Sequence, residues 1–239
     1  MKSYIKLPPL KTLPDSSIKK RQISDDVWQS FIFYIVLKYY KEIDNYEVIN
    51  LIHKELEKHN SQIEKELKEH IYKWYKKKKR TDKIDIWGII LNLEPSSDNH
   101  QGFYDLKFQH SDWDKYFVFE AKNLGEVKST THSTLLNEYV YANHKNDGGM
   151  YRFMTKKYAC EINFGGMLGF VVGIIKGDVI EDLTNKIQSV YSDNKNGKLI
   201  DEKIKLNSIA DNKNTFTTFH SRNGEKFSLY HILMDFTKE

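Results

Sequence analysis

Cysteine is almost missing from this chain: Cys160 is the one example in 239 residues. That excludes an internal disulfide and a cysteine-built zinc site. Long apolar runs are missing as well. The longest, Phe31 to Leu37, falls far short of the ~20 residues a membrane-spanning helix needs. The opening Met1-Lys2-Ser3-Tyr4-Ile5-Lys6 has no signal-peptide core, so a soluble, cytoplasmic protein without membrane attachment is expected. Charge of one sign is also in short supply. A net charge of +4 is compatible with nucleic acid but does not by itself demonstrate it. What is abundant is core-forming material, with 39% hydrophobic and 13% aromatic residues, which excludes global disorder.

The length allows one large domain, or one domain with a helical appendage. Pro8, Pro9 and Pro14 mark residues 1–21 as an extended N-terminal arm. Residues 22–80 read as a helical region. Ser24 before Asp25 and Asp26 offers an oxygen cap and acids at the positive end of a helix that runs to about Tyr40. Apolar residues from Val48 to Trp74 recur at spacings of three and four, predicting helix from Tyr46 to Lys79 with a break at Asn60-Ser61.

From residue 81 to 239 the pattern changes. Ile84 to Leu91, Phe103 to His110 and Tyr116 to Lys122 are short β-branched and aromatic segments between turn-like runs, predicting an antiparallel meander. Helix follows from Ser133 to Tyr158, broken at Gly148-Gly149, then a buried strand from Gly165 to Ile175. A helix from Asp178 to Tyr191 and strands at Thr215 to His220 and Phe227 to Leu233 complete the pattern. The expected class is α/β, or α+β: a mixed central sheet flanked by helices.

The chemistry concentrates in Tyr116-Phe117-Val118-Phe119-Glu120-Ala121-Lys122. Alternation along a strand puts Glu120 and Lys122 on one face and Ala121 on the other. Acid-any-lysine also occurs at Glu66-Leu67-Lys68, Glu126-Val127-Lys128 and Asp201-Glu202-Lys203. Only the copy at Glu120 closes an apolar strand, where desolvation makes a charged pair costly. In the preceding segment Tyr104, Leu106 and Phe108 alternate with Asp105, which can approach Glu120 across a hairpin ladder. Two carboxylates so close call for a cation. Magnesium suits an all-oxygen site of Asp105, Glu120 and the Ala121 carbonyl. Lys122 would orient or deprotonate the attacking water, or stabilise charge on phosphorus. Asp85, in Lys83-Ile84-Asp85-Ile86, is the alternative first acid.

Asp105 followed by Glu120-Ala121-Lys122 resembles the signature of the PD-(D/E)xK nuclease superfamily, the restriction-endonuclease-like proteins, over roughly Asp82 to Tyr191. Tyr104 stands where that signature often has proline. The resemblance implies a mixed four-stranded core, magnesium with manganese able to substitute, and cleavage of DNA. It also implies a setting in restriction or anti-phage defence. Phe219-His220-Ser221-Arg222 and Tyr230-His231-Ile232-Leu233 are similar to the ends of uncharacterised defence-associated members. Some members add a glutamate from the preceding helix, for which Glu55, Glu66 and Glu69 compete.

Two other readings stay open: an inactive nuclease-fold module for nucleic-acid binding or assembly, and a nuclease directed at RNA. A homodimer or a defence-system partner protein would fit either activity. The run Lys76, Lys77, Lys78, Lys79 and Arg80 offers phosphate contacts, although the dipole at a helix C-terminus favours the same residues. Arg152 is a further candidate phosphate ligand or an ordinary exposed arginine. His220 and His231 read as satisfied or surface histidines. Gly165-Gly166 lacks the lysine and serine of a Walker motif and reads as close strand packing.

Overall fold

The computed structural model describes residues 23–81, 88–97, 102–141, 148–200 and 204–237. The expected N-terminal arm and Asp85 lie outside them. Six helices and eight strands are described: α1 (Asp25–Glu42), α2 (Asn45–Glu57), α3 (Ile63–Thr81), β1 (Ile90–Leu93), β2 (Leu106–Gln109), β3 (Tyr116–Leu124), α4 (His132–Val140), α5 (Gly149–Met154), β4 (Phe164–Val171), α6 (Val179–Tyr191), β5 (Lys198–Leu199), β6 (Lys205–Leu206), β7 (Thr215–Arg222) and β8 (Glu225–Asp235). None of these helices is long and apolar enough to cross a membrane.

The chain forms a mixed α/β structure around one sheet in the order β1-β2-β3-β4-β8-β7-β5, with β6 also on β7. The meander β1-β2-β3 is antiparallel, β3, β4 and β8 run parallel, and β8-β7 is an antiparallel hairpin. The parallel centre needs cover on both faces. Accordingly every residue of β4 is buried. Its glycines admit neighbours that a side chain would exclude. A Cβ at Gly165 would lie 2.5 Å from the Phe153 ring, and one at Gly166 would lie 2.3 Å from the Phe119 ring.

The helices pack directly on this sheet. Phe33 of α1 meets Phe117 of β3 and Tyr230 of β8, and the Tyr40 hydroxyl donates to the Asp235 carbonyl. Ser24 occupies the N-cap position of α1, but its side chain makes no capping bond. The first-turn acid Asp25 instead accepts from the Trp113 indole and pairs with Lys115. Ile63, Leu67, Ile71 and Tyr75 form the buried stripe of α3, and the Tyr75 hydroxyl donates to the Ile89 carbonyl.

The expected strand from Ile84 to Leu91 lies partly outside the described residues, and β1 runs Ile90–Leu93. β2 is shorter than its pattern suggests, starting at Leu106 rather than Phe103. Between them Glu94 adopts a left-handed φ of 48°, uncommon for a residue with a side chain. Beyond it the two segments pair through a bridge between Ser96 and Phe103 and the Tyr104 N–H donating to the Pro95 carbonyl.

Candidate active site

The inner end of β3 gathers the charged residues. Glu120 is completely buried, and Lys122 Nζ lies 3.1 Å from Glu120 Oε1, as strand alternation requires. The β2-β3 ladder pairs Leu106 with Phe119. One step further, Asp105 stands beside Glu120, and its Oδ2 accepts the Ala121 N–H at 2.6 Å. The Glu94 N–H in turn donates to the Asp105 carbonyl at 3.0 Å. The strained residue is thus tied to the backbone of the candidate acid.

Helix α3 closes one side of this cluster. Glu64 and Lys68 are four apart and share a face. Lys68 Nζ lies 2.5 Å from Asp105 Oδ1, 3.1 Å from Glu94 Oε1 and 3.7 Å from Glu64 Oε1. Glu64 Oε2 reaches Lys122 Nζ at 3.3 Å. From the other side, Arg152 Nη1 donates to both Glu120 oxygens at 3.1 and 3.2 Å and to the Tyr158 hydroxyl at 2.7 Å. Tyr158 donates onward to the Phe103 carbonyl.

Burial pushes the Glu120 carboxyl up, to about 7, with Lys122 and Arg152 opposing the rise and Asp105 and Glu64 adding to it. Burial likewise raises Glu64, against the pull of Lys122. Lys122 moves up despite its burial, because Glu120, Glu64 and Asp105 surround the ammonium with negative charge. Lys68 rises for the same reason, chiefly through Asp105. Both lysines are therefore held as cations at neutral pH.

The donor chemistry fits magnesium, which takes hard oxygen ligands: Asp105, Glu120 and Glu64 each offer a carboxylate. Among the described residues, no three carboxylates, imidazoles or thiols are already gathered into a metal-binding group. Ammonium and guanidinium groups stand between the acids instead.

The structure brings Asp105, Glu120, Lys122 and Arg152 together. Arg152 grips a carboxylate rather than standing free on the surface. The glutamate contributed by the helix is Glu64, not one of the three competitors. Glu55 is held by Lys58 and the Gln62 N–H, Glu69 pairs with Lys73, and Glu66 takes no part in the cluster. Lys68, Glu94 and Tyr158 also escaped sequence reasoning. The available signal was faint: Lys68 follows the stripe residue Leu67 and precedes Ile71 by three, at the margin of the buried face.

The run Lys76 to Arg80 lies roughly 12–18 Å along α3 from Lys68, at ~1.5 Å per residue, so the fold does not bring it to the cluster. Lys78 pairs with Glu42 at 3.1 Å, and Lys76 sits over the Tyr72 ring at 5.1 Å.

His220 and His231 are fully buried and satisfied within one hydrogen-bond relay. The Gly197 carbonyl can only accept, so His220 Nδ1 donates to it at 2.8 Å. Burial holds His220 down at about 4 and His231 well below its ordinary range, so both rings are neutral near pH 7. His220 Nε2 then accepts from the Thr218 hydroxyl at 2.8 Å, which accepts from His231 Nε2 at 3.0 Å. His231 Nδ1 accepts from the Tyr139 hydroxyl at 3.0 Å. Every proton in the relay has one place to go.

Comparison with family models, with curated proteins and with solved structures finds no match to this chain.

Proposed function

We propose that this protein is a divalent-metal-dependent DNA endonuclease of the PD-(D/E)xK type. The observation that carries the reading is the juxtaposition of Asp105 and Glu120 on neighbouring strands, with Lys122 on the same face as Glu120. The chain order supports it: a helix, three antiparallel strands, helix, then a strand parallel to the third. That is the arrangement the restriction-endonuclease-like resemblance calls for.

In this reading Asp105 and Glu120, with Glu64 or the Ala121 carbonyl, hold magnesium or manganese. A bound divalent ion supplies Lewis acidity and a water of lowered pKa. The remaining work falls to the protein. Lys122 stands among three carboxylates that favour its charged form. It donates hydrogen bonds that orient the attacking water or stabilise negative charge building on the phosphoryl oxygens. Arg152 fixes the orientation of Glu120 through both oxygens. The Ala121 N–H does the same for Asp105. Restriction or anti-phage defence, with or without a partner protein, is the setting we infer from the nuclease type.

The test is conversion of supercoiled plasmid to nicked or linear DNA with magnesium or manganese, for the parent chain and Lys122→Ala. Cleavage by the parent, reduced about a hundredfold or more in the variant, is expected. Equal nicking by both would overturn the assignment. A second reading, an inactive nucleic-acid-binding module, draws on the cation contacts made by the cluster's carboxylates. It predicts DNA retention without cleavage. Matched RNA and DNA substrates separate an RNA-directed enzyme from a DNA-directed one.

A further inference from the structure

We propose that Lys68 is the resident counter-ion of the candidate metal site, holding Asp105 until a divalent cation takes its place. The proposal rests on the nuclease reading and adds to it a residue that sets metal affinity. Lysine is seldom buried, yet the Lys68 side chain is only 7% exposed. Its ammonium lies closer to Asp105 and Glu94, at 2.5 and 3.1 Å, than to its own helix partner Glu64 at 3.7 Å. The acids of the β1-β2 connection, not a routine pair along the helix, therefore govern its position.

The two oxygens of Asp105 have different kinds of partner. Oδ2 is fixed by the Ala121 N–H within the sheet. Oδ1 is held by the end of a flexible side chain and can exchange that partner without any backbone movement. Lys68 has somewhere to go, because Glu94 and Glu64 both remain within reach after Asp105 is released. No buried charge is then abandoned, which keeps the exchange from carrying the large penalty of an unpaired ion. Lys122 is poorly suited to this role. Its stem rises from a central strand, and its partners are Glu120 and Glu64 rather than Asp105. The two lysines thus divide the work: Lys122 stays, and Lys68 yields.

A competing ammonium weakens divalent binding, so removing it strengthens binding. Manganese binding to the full-length protein, followed by the electron paramagnetic resonance of free Mn2+, reads this without any cleavage. Lys68→Met is expected to bind Mn2+ about tenfold more tightly or better, since a like charge beside the site is gone. Lys68→Arg keeps the charge and stays close to the parent. The melting temperature of Lys68→Met should start lower, with Asp105 left without its cation, and rise further than the parent's on adding Mn2+. Should Lys68→Met not fold, Lys68→Gln removes the charge while keeping a donor for Asp105 and carries the same expectation. Equal or weaker Mn2+ binding by the neutral variant overturns the role of Lys68. Asp105→Asn and Glu120→Gln separate the two levels of the argument. If they weaken Mn2+ binding while the neutral Lys68 variant does not tighten it, only the Lys68 proposal falls. If they leave it unchanged, or if no protein binds Mn2+, the metal-site reading falls with it.

Discussion

Two polar networks lie on the same face of the same sheet, in one row across its strands, and they are built on opposite terms. The strand registers align Glu120 of β3 with Met167 of β4, then His231 of β8, then Phe216 of β7. At ~4.8 Å between strands, Glu120 and His231 stand roughly 10 Å apart. Around His231 everything is neutral, each donor has one acceptor, and the ring stacks on Phe216 at 4.2 Å and 6°. Around Glu120 four carboxylates, from Glu64, Glu94, Asp105 and Glu120, face the cations of Lys68, Lys122 and Arg152. A buried polar group that serves only the fold takes the first form, because uncompensated charge in a protein interior is expensive. The second form is a standing cost that stability alone does not explain. The completely buried Met167 keeps the two apart.

The sharpest way to break this contrast is the loss of cleavage in Lys122→Ala, the largest effect expected anywhere in the chain. His231→Leu should do the reverse. It strands the Tyr139 hydroxyl in the core, leaves Thr218 bonded only to His220, and costs about 1–3 kcal/mol of folding free energy. Mn2+ affinity should stay unchanged, and urea unfolding beside a Mn2+ titration checks both. A relay variant that lost metal binding would mean that the two regions form one functional unit.

Acid separates them by sign. His220 and His231 titrate at lower pH in the folded state than unfolded. The unfolded chain therefore binds their protons first, and they lower stability as pH falls from about 6.5 towards 4, by ~1.4 kcal/mol per pH unit for each ring. Glu120 is raised in the folded state to about 7. The folded chain keeps that proton longer, so Glu120 lowers stability as pH rises from about 4.5 to 7. In the parent these slopes oppose each other. Glu120→Gln removes the downward one, and its stability should climb with pH more steeply than the parent's by ~1.4 kcal/mol per unit in that window. Denaturant midpoints at a series of pH values measure the difference, and parallel curves would contradict the burial-driven shift at Glu120.

The smallest effect belongs to the basic run at the end of α3. Lys76→Ala and Arg80→Ala should each change cleavage of a short duplex by less than about twofold, as exposed charges far from a site usually do. A larger loss on long DNA alone would restore the run as an outer phosphate contact.

Periodicity carried most of the fold. Apolar stripes marked α2, α3 and α6, the acids after Ser24 marked the start of α1, and strands were expected at Thr215 to His220 and Phe227 to Leu233, where β7 and β8 lie. The glycine-punctuated run marked β4, whose glycines do abut Phe153 and Phe119. In the site, Glu120 and Lys122 were legible because charge at the end of an apolar strand is locally anomalous. Asp105 followed from the hairpin that precedes it. Glu64 and Lys68 were not legible, for a physical reason. In Glu64-Lys65-Glu66-Leu67-Lys68-Glu69 every position but Leu67 offers a charge, and only the packing of α3 against β1 and β3 selects two of them. The relay was hidden by distance, since Tyr139 and His231 are 92 residues apart. Ser24 had the right chemistry for a cap, but that bond is absent and Asp25 engages Trp113 and Lys115 instead.

The position of β8 has a consequence for the order of synthesis. It is the last of the described strands, yet it lies inside the sheet between β4 and β7. Its end also meets the first helix, where Tyr40 bonds to Asp235 across 195 residues. A nascent chain emerging from the ribosome therefore cannot close its sheet until residue 235 has been made. Until then β4 exposes an unpaired edge and α1 lacks Tyr230. The central sheet is therefore finished only after its β8 strand has left the ribosome.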